Sequence, residues 1–407
     1  MKNQILVLNC GSSSVKADLF LMENGDPHEK NIDWQRLAKF RAERISKNGS
    51  KLSFSITGKD KQVIEQEFKT HEEAIEKITN LLDENLLFNP ETRFAIGHRV
   101  VHGGEKINNP VKIDDQSQKI IEDCIEFAPL HNPANLKGIS FCKNKYGVDQ
   151  VGVFDTAFHS TIPAEAYSYG IPQQLVQKYQ IRRYGFHGTS HEYVAQVVAH
   201  NLDMDFHSFS AITLHLGNGA SVCAIKDGKS IETSMGYTPL EGLMMGTRCG
   251  DLDPAIVFLL QEKEGLSTDE IDLLLNKQSG LKGICGSNDM RDILQRCENN
   301  DKLAILARDA FVHRIRRYLG AYVAEIPNCN AIIFTGGIGE NSAKIRELVC
   351  KDLSHLGINL DLDKNNTRPL GADFQISQKS SSVKIFAQPT DEELMIAQKT
   401  IEVLLNK

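Results

Sequence analysis

An α/β protein built from two copies of one domain type is the fold the sequence predicts, and three observations predict it. The 407 residues exceed what one core usually organises, so two domains are the default expectation. A short apolar strand that runs into a glycine-rich turn and a return strand occurs twice, at residues 4–20 and 211–225. A third strand with a glycine turn, at residues 331–342, leads into a helical pattern.

The elements follow in chain order. Gln4-Ile-Leu-Val-Leu8 is an apolar run bounded by Asn9-Cys-Gly-Ser-Ser-Ser14, which reads as a buried strand entering a tight turn, with Val15 to Phe20 as the return strand. Residues 24–62 read as polar and irregular. Gln150-Val-Gly-Val-Phe154 is a further strand, and the domain boundary is expected just after it. The first domain is therefore expected to span residues 1–155, completed by a C-terminal helix over 390–407, and the second residues 156–389. Ala211 to Ile225 repeats the opening block: Gly217 aligns on Gly11, Leu214 on Leu8 and His215 on Asn9. Apolar residues at Leu303, Leu306, Ala310, Ile315 and Leu319 predict a helix over 302–325. Ala343 to Val349 and the tail from Asp391 predict two more, the last with an acidic first turn that suits the helix dipole.

Composition narrows the function. A content of 41 % hydrophobic and 24 % charged residues is that of an ordinary globular protein, and the net charge of −7 without a Lys/Arg-dense run argues against nucleic-acid binding. The nine cysteines are scattered with no close pair, which gives no zinc or redox motif and fits a reducing compartment. No run is apolar enough for a signal peptide or a membrane-spanning helix. A cytoplasmic protein without a membrane partner is expected.

The chemistry concentrates in glycine turns and isolated cations. Three glycine-rich turns at strand ends offer backbone N–H groups to phosphate oxygens, although none is a P-loop or a dinucleotide fingerprint. The first turn adds the hydroxyls of Ser12, Ser13 and Ser14 and the cation of Lys16. Arg248 is alone: no other Lys or Arg lies between Lys229 and Lys263. Its surroundings of Gly, Met and Thr call for an anionic partner, either a carboxylate such as Asp251 or an anion on a ligand. Arg99, in His98-Arg-Val-Val-His-Gly-Gly104, has the same two readings. His131 and His187 stand in loops beside proline and glycine; with the two arginines they form a set able to neutralise developing negative charge. His191 reads as a structural residue at a helix start. Asp155 ends a strand, a favoured place for a functional carboxylate and equally for a cap. An oxygen-ligated Mg2+ fits the available donors, Asp155, Glu392 and the Asn9 amide, better than a nitrogen- or sulfur-bound metal.

These segments together resemble the acetokinase family. The carrying stretches are LNCGSSSVK (8–16), GHRVVHGGE (97–105), APLHNPAN (128–135), FDTAFHSTIP (154–163), RRYGFHGTSH (182–191), LHLGNGAS (214–221), TSMGYTPLEGLMMGTRCGDLDPA (233–255), FTGGIGENS (334–342) and PTDEEL (389–394). They occur in family order from residue 8 to residue 394. The resemblance implies the fold of sugar kinases, actin and the heat-shock ATPases, two duplicated α/β domains with the active-site cleft between them. It implies a homodimer that interconverts ATP and acetate with ADP and acetyl phosphate, using Mg2+ with Mn2+ as a possible substitute; propionate is the rival acid. One methylene in an apolar pocket discriminates by only about 1–3 kcal/mol.

The same resemblance implies the residue roles. Asp155, His187 and Arg248 match the catalytic groups. Arg99 matches the holder of the substrate carboxylate, Val101, Leu130, Phe186 and Pro239 the pocket for its methyl group, and His131 a supporting residue. Ser12, Ser14 and Lys16 match the first phosphate loop, and His215, Leu216, Gly217, Asn218 and Gly219 the second. Asp289, Met290 and Arg291, with Gly337, Ile338, Gly339, Glu340 and Asn341, match the adenosine side. Asn9 and Glu392 match the metal site. Two positions depart from the family pattern: Cys10 replaces the usual Ala, and Asp391 replaces the usual Asn, adding a charge beside Glu392.

Overall fold

Strand β1 (Asn3–Gly11) is buried along nearly its whole length, which requires cover on both faces of its sheet. The computed structural model describes residues 2–23, 34–85, 87–129, 131–367 and 374–405. It divides into two compact units, Met1–Phe158 with Asp391–Lys407, and His159–Thr390.

In the first unit Leu6 and Leu8 pack with Ala74, Ile75 and Ile78 of the helix His71–Glu84 and with Ala134 and Cys142 of the helix Asn132–Tyr146. On the opposite face Ile5 and Val7 meet Ile396, Ala397 and Ile401 of the C-terminal helix Glu392–Leu405. Gly97 makes that approach possible: a Cβ there would lie 2.4 Å from Thr400 Oγ1 and 2.8 Å from Ile396 Cγ2. The C-terminal tail thus completes the first unit's core.

The first sheet runs β5-β4-β3-β2-β1-β6-β8-β7. Its strands are β2 (Ser14–Met22), β3 (Trp34–Glu43), β4 (Lys51–Ile56), β5 (Gln62–Glu65), β6 (Arg93–Val100), β7 (Val111–Lys112) and β8 (Gln150–Phe154). The second runs β11-β10-β9-β12-β14-β13, from β9 (Ala211–Leu216), β10 (Ala220–Lys226), β11 (Lys229–Thr233), β12 (Ala331–Thr335), β13 (Phe374–Gln375) and β14 (Lys384–Ala387).

Strand for strand, β3-β2-β1-β6-β8-β7 matches β11-β10-β9-β12-β14-β13 in position, direction and chain order. The first three strands of each are antiparallel, the next two are parallel additions, and the last is an antiparallel edge. The fold is α/β with one sheet plan used twice.

Two sequence expectations need correction. Residues 34–43 and 51–56 are strands, whereas residues 24–33 lie outside the described residues. Ala38, Phe40 and Ala42 face the core between outward-facing polar residues, so the period of two was present in a stretch dominated by charge. The helix Lys302–Glu325 forms where expected but turns a different face inward. Ala304, Ala307, Phe311, Ile315, Leu319 and Tyr322 are buried, while Leu303 and Leu306 are each 54 % exposed.

Candidate functional site

In the first unit the candidate residues gather at the C-terminal ends of the adjacent parallel strands β1, β6 and β8, where open α/β sheets bind ligands. Asn9 lies near the end of β1, Arg99 near the end of β6, and Asp155 directly after β8. The Arg99 guanidinium grips Asp155 with two bonds, Nε to Oδ1 at 2.8 Å and Nη2 to Oδ2 at 2.6 Å, and donates through Nη1 to Asn9 Oδ1 at 3.2 Å. Burial works against the Arg99 charge, but Asp155, Glu392 and Glu393 hold its pKa above the ordinary arginine value. Sequence left Arg99 between a structural carboxylate and a substrate; here it holds a carboxylate that is itself a candidate.

Asn9 donates through Nδ2 to Glu393 Oε1 at 3.3 Å. Lys16, at 3.7 Å, and Arg41, at 3.8 Å, face the same carboxylate. Burial alone would raise the Glu393 pKa, yet Lys16 and Arg41 bring it below the usual value. Sequence reasoning passed over Glu393. Its neighbour Glu392 opens the C-terminal helix.

Asp391 donates no stray charge to this corner, because its carboxylate accepts from Arg36 Nη2 at 2.7 and 2.5 Å and caps the helix by accepting from Leu394 N–H at 3.0 Å.

The hairpin between β1 and β2 turns through Ser12 and Ser13, so Ser12, Ser14 and Lys16 occupy one turn and its return strand. Cys10 is buried behind it, its thiol pushed up to about 12 by burial and by Glu72. Val101 is buried just past β6, with its N–H on Asn135 Oδ1 at 3.2 Å. His131 precedes the helix Asn132–Tyr146 as its N-cap residue. Leu130 lies outside the described residues.

The second unit repeats the plan at the ends of β9 and β12. Two glycine turns, Gly217–Gly219 and Gly336–Gly337, follow neighbouring parallel strands. Gly336 has φ 74° and a Cβ there would lie 2.8 Å from Leu216 O, so only glycine suits the turn. These turns open on a cavity of about 670 Å³. Of the expected residues, Gly217, Asn218, Asp289, Met290, Arg291, Gly337, Ile338 and Asn341 line it; Asn288, Leu294 and Ser342 line it without having been foreseen. Asp289 is held down to about 2, chiefly by its hydrogen bond from Arg291.

Among the expected residues that do not line the cavity, Leu216, Gly339 and Glu340 have partners within the fold. Leu216 is fully buried, and Gly339 packs against Leu214 and Phe334. Glu340 accepts through Oε1 from Gly336 N–H at 3.0 Å and Thr390 N–H at 3.2 Å, which fixes the turn from behind.

Arg248 stands on a loop that is tied down residue by residue. Met245 N–H donates to Arg248 O at 3.1 Å, Ser279 N–H to Thr247 O at 3.0 Å and Cys249 N–H to Leu275 O at 3.0 Å. Asp251 is not its partner: that carboxylate accepts from Tyr318 and from Gly242 N–H, and faces Arg314. Among the described residues no carboxylate lies within 4 Å of Arg248, whose Nη1 reaches only Pro239 O at 3.4 Å and Met245 Sδ at 3.8 Å. Burial lowers its pKa with no countercharge to oppose the shift. A half-buried guanidinium with no carboxylate beside it is free to receive an anion.

His187 faces the same point. It follows buried Phe186 and caps the helix Gly188–Asn201 with φ 58°, a left-handed conformation costly for a residue with a Cβ. A Cβ built on Gly219 would lie 3.5 Å from His187 Cε1, 3.6 Å from its Nε2 and 3.7 Å from Arg248 Nη1. One imidazole edge and one guanidinium tip therefore converge beside the second phosphate-loop candidate. His187 stacks on His215 at 4.2 Å, and His215 Nδ1 lies 2.8 Å from Ser190 Oγ.

This constellation invites comparison with known proteins. The profile of the acetokinase family matches residues 4–398. The chain belongs to the acetokinase family. It is 49 % identical over 408 residues to the acetate kinase of Carboxydothermus hydrogenoformans, covering 99 % of this chain and all of that one. It is 48 % identical to the acetate kinase of Desulfitobacterium hafniense strain DCB-2 over 98 % of this chain and 99 % of that one. Among solved structures, Porphyromonas gingivalis acetate kinase superposes with a TM-score of 0.89 at 43 % identity, covering 99 % of this chain and all of that one. A propionate kinase from Francisella tularensis gives the same TM-score at 44 % identity, over 98 % of this chain and all of that one. Membership of the acetokinase family makes the chain a phosphotransferase. No helix among the described residues is long and apolar enough to cross a membrane.

Proposed function

We propose that the chain transfers the γ-phosphoryl group of ATP to acetate, giving acetyl phosphate and ADP, and catalyses the reverse. The observation that carries this reading is the uncompensated Arg248 beside His187 and Gly219. A carboxylate oxygen forms the new bond to phosphorus as the bond to the bridging β–γ oxygen breaks, and ADP leaves with that oxygen. The nucleophile is already ionised, so no base is required. Two anions must instead be brought together.

Arg99 takes the acetate carboxylate, with Asp155 holding its guanidinium in orientation. Val101, Phe186 and Pro239 favour a small acyl group. Arg248 and His187 stabilise the equatorial oxygens of the in-line transition state. Gly217, Asn218, Gly337 and Asn341 bind phosphate and ribose, and Asp289 to Arg291 bind the adenosine end.

The donors near Arg99 are hard oxygens, which suits Mg2+ and leaves coordination positions for substrate phosphates. Asn9 and Glu392 would hold the ion, whose chemistry is to neutralise charge on the β- and γ-phosphates. The helix Ala255–Glu264 (AIVFLLQEKE) buries none of its residues in this chain, and Phe258 is 67 % exposed, which supports a homodimer formed through apolar surface. The nine free cysteines support a cytoplasmic location.

A second reading, propionate as the preferred acid, is favoured by the Francisella propionate kinase structure. ADP release from Mg-ATP with acetate, propionate, butyrate or no acid separates the readings by kcat/KM. Acetate preference supports the first and propionate preference the second. ADP release indifferent to every acid sinks both.

A further inference from the structure

Behind His187 lies a line of buried polar side chains that neither the phosphate loops nor the substrate residues use. His187 Nδ1 is 2.9 Å from Ser221 Oγ, Ser221 Oγ is 2.8 Å from His191 Nε2, and His191 Nδ1 is 2.6 Å from Thr213 Oγ1. Ser221, His191 and Thr213 are fully buried. The line therefore runs from the core to the imidazole edge that faces Gly219 and Arg248.

Hydrogen counting constrains it. The Ser221 hydroxyl has one proton and touches two ring nitrogens, so it donates to at most one of them. Burial, with lesser contributions from His159 and His215, pushes the His191 pKa well below the ordinary histidine value, so its ring carries a single N–H. One ordering satisfies these three contacts and leaves a donor at the site. Thr213 O–H donates to His191 Nδ1, His191 Nε2–H to Ser221 Oγ, and Ser221 O–H to His187 Nδ1. His187 must then carry its own proton on Nε2. The reverse ordering puts the His187 proton on Nδ1 and turns a lone pair toward the place where phosphoryl charge develops.

We propose that Ser221 is a positioning residue which, backed by His191 and Thr213, fixes His187 as the Nε2–H tautomer, so that the neutral imidazole donates a hydrogen bond to the transferring phosphoryl group. The inference rests on the phosphoryl-transfer reading, which chooses between the two orderings, but the tautomer can be measured without it. Among the described residues, the charged and titratable groups near the ring include Arg248 across Gly219, His215 stacked on its face, His191 through Ser221, and His159, whose Nε2 lies 3.0 Å from the Phe186 carbonyl. Arg248 next to the ring disfavours a second positive charge, which makes a neutral donor the economical arrangement.

Two measurements test this. Long-range 1H–15N spectra of the ¹⁵N-histidine-labelled protein, without substrates and with the His187 ring neutral, should show Nε2 protonated and Nδ1 bare. A proton on Nδ1 overturns the relay, whether or not the protein proves to be a kinase. Ser221→Ala should lower kcat by about 10- to 100-fold, the range for a lost orienting partner, with KM values little changed. Its kcat should also recover toward the wild-type value in more acidic solution, because an imidazolium carries Nε2–H without Ser221. A Ser221→Ala profile parallel to the wild type at every pH would reduce Ser221 to a packing residue. Should that variant fail to fold, the wild-type spectrum alone decides. An absence of acid-dependent ADP release with the tautomer as stated would overturn the function and leave the relay standing.

Discussion

Arg99 and Asp155 form a two-pronged ion pair at the ends of neighbouring parallel strands, with 20 % of the arginine side chain and 3 % of the aspartate side chain exposed. Removing one partner of such a pair strands the other in a poorly solvated place. Arg99→Ala should therefore cost stability, at about 3 kcal/mol, the low end for a broken buried pair because the arginine is partly wet. The double variant Arg99→Ala with Asp155→Asn should regain most of that loss in urea unfolding, since no uncompensated charge remains. Phosphoryl transfer to acetate should not return with it. Recovery of both together would show that the pair is structural and that neither residue handles substrate.

Arg248 gives the sharpest kinetic expectation, because no carboxylate among the described residues pairs with it. Arg248→Ala should lower kcat by about 10³-fold or more, as for other arginines that meet phosphoryl charge in the transition state. Urea stability should change little. A loss confined to KM for ATP or acetate would make Arg248 a ground-state binder.

Asp391 and Glu392, at the start of the C-terminal helix, carry opposite expectations. Asp391 spends its charge on Arg36 and its cap on Leu394, so Asp391→Asn should leave the Mg2+ concentration for half activity unchanged within about twofold, with a stability loss of about 1 kcal/mol from the half-buried pair. Glu392→Ala should raise the Mg2+ requirement at least about tenfold, the order of loss when a metal site's support is removed. Titrating Mg2+ against activity for both variants checks the pair. A shift for Asp391→Asn comparable with that for Glu392→Ala would place Asp391 in the metal site.

How much of this was readable in advance follows from where each signal resides. β1, β9 and β12 are covered on both faces and leave continuous apolar runs, so they were plain in the sequence. β3 and β4 alternate within a polar stretch, and their core residues Ala38, Phe40, Leu52 and Phe54 were hidden by Lys39, Arg41 and Lys51. The isolation of Arg248 was visible because its neighbours in the chain are also its neighbours in space. Glu393 was not, since its meaning depends on Asn9, 384 residues away. His191 read as a helix-start residue for the same reason: Thr213 and Ser221 reach it only once β9 and β10 pair. Local patterns survive in a sequence, and polar partnerships made by strand pairing do not.

The buried histidines give the protein an acid limit that carboxylates alone would not. Burial pushes His98 and His159 down to about 4 and His102 down to about 3, so all three fold neutral. In the unfolded chain each takes up a proton near pH 6.5. Between those values the unfolded state binds more protons than the folded one, so stability rises with pH and is lost as the pH falls below about 6.5. Each histidine contributes a slope of up to about 1.4 kcal/mol per pH unit in that window. Most carboxylates titrate lower, which leaves the range from about pH 6 to about pH 5 to the histidines. His98 is the clearest probe, because among the described residues its hydrogen-bond partner on Nε2 is the uncharged Gln150 side-chain amide, at 2.6 Å. Urea unfolding of His98→Gln at about pH 7.5, 6 and 5 should show a shallower decline than the wild type, by close to one proton. Parallel declines would mean that His98 is already protonated in the folded protein, and burial would not then be what governs its charge.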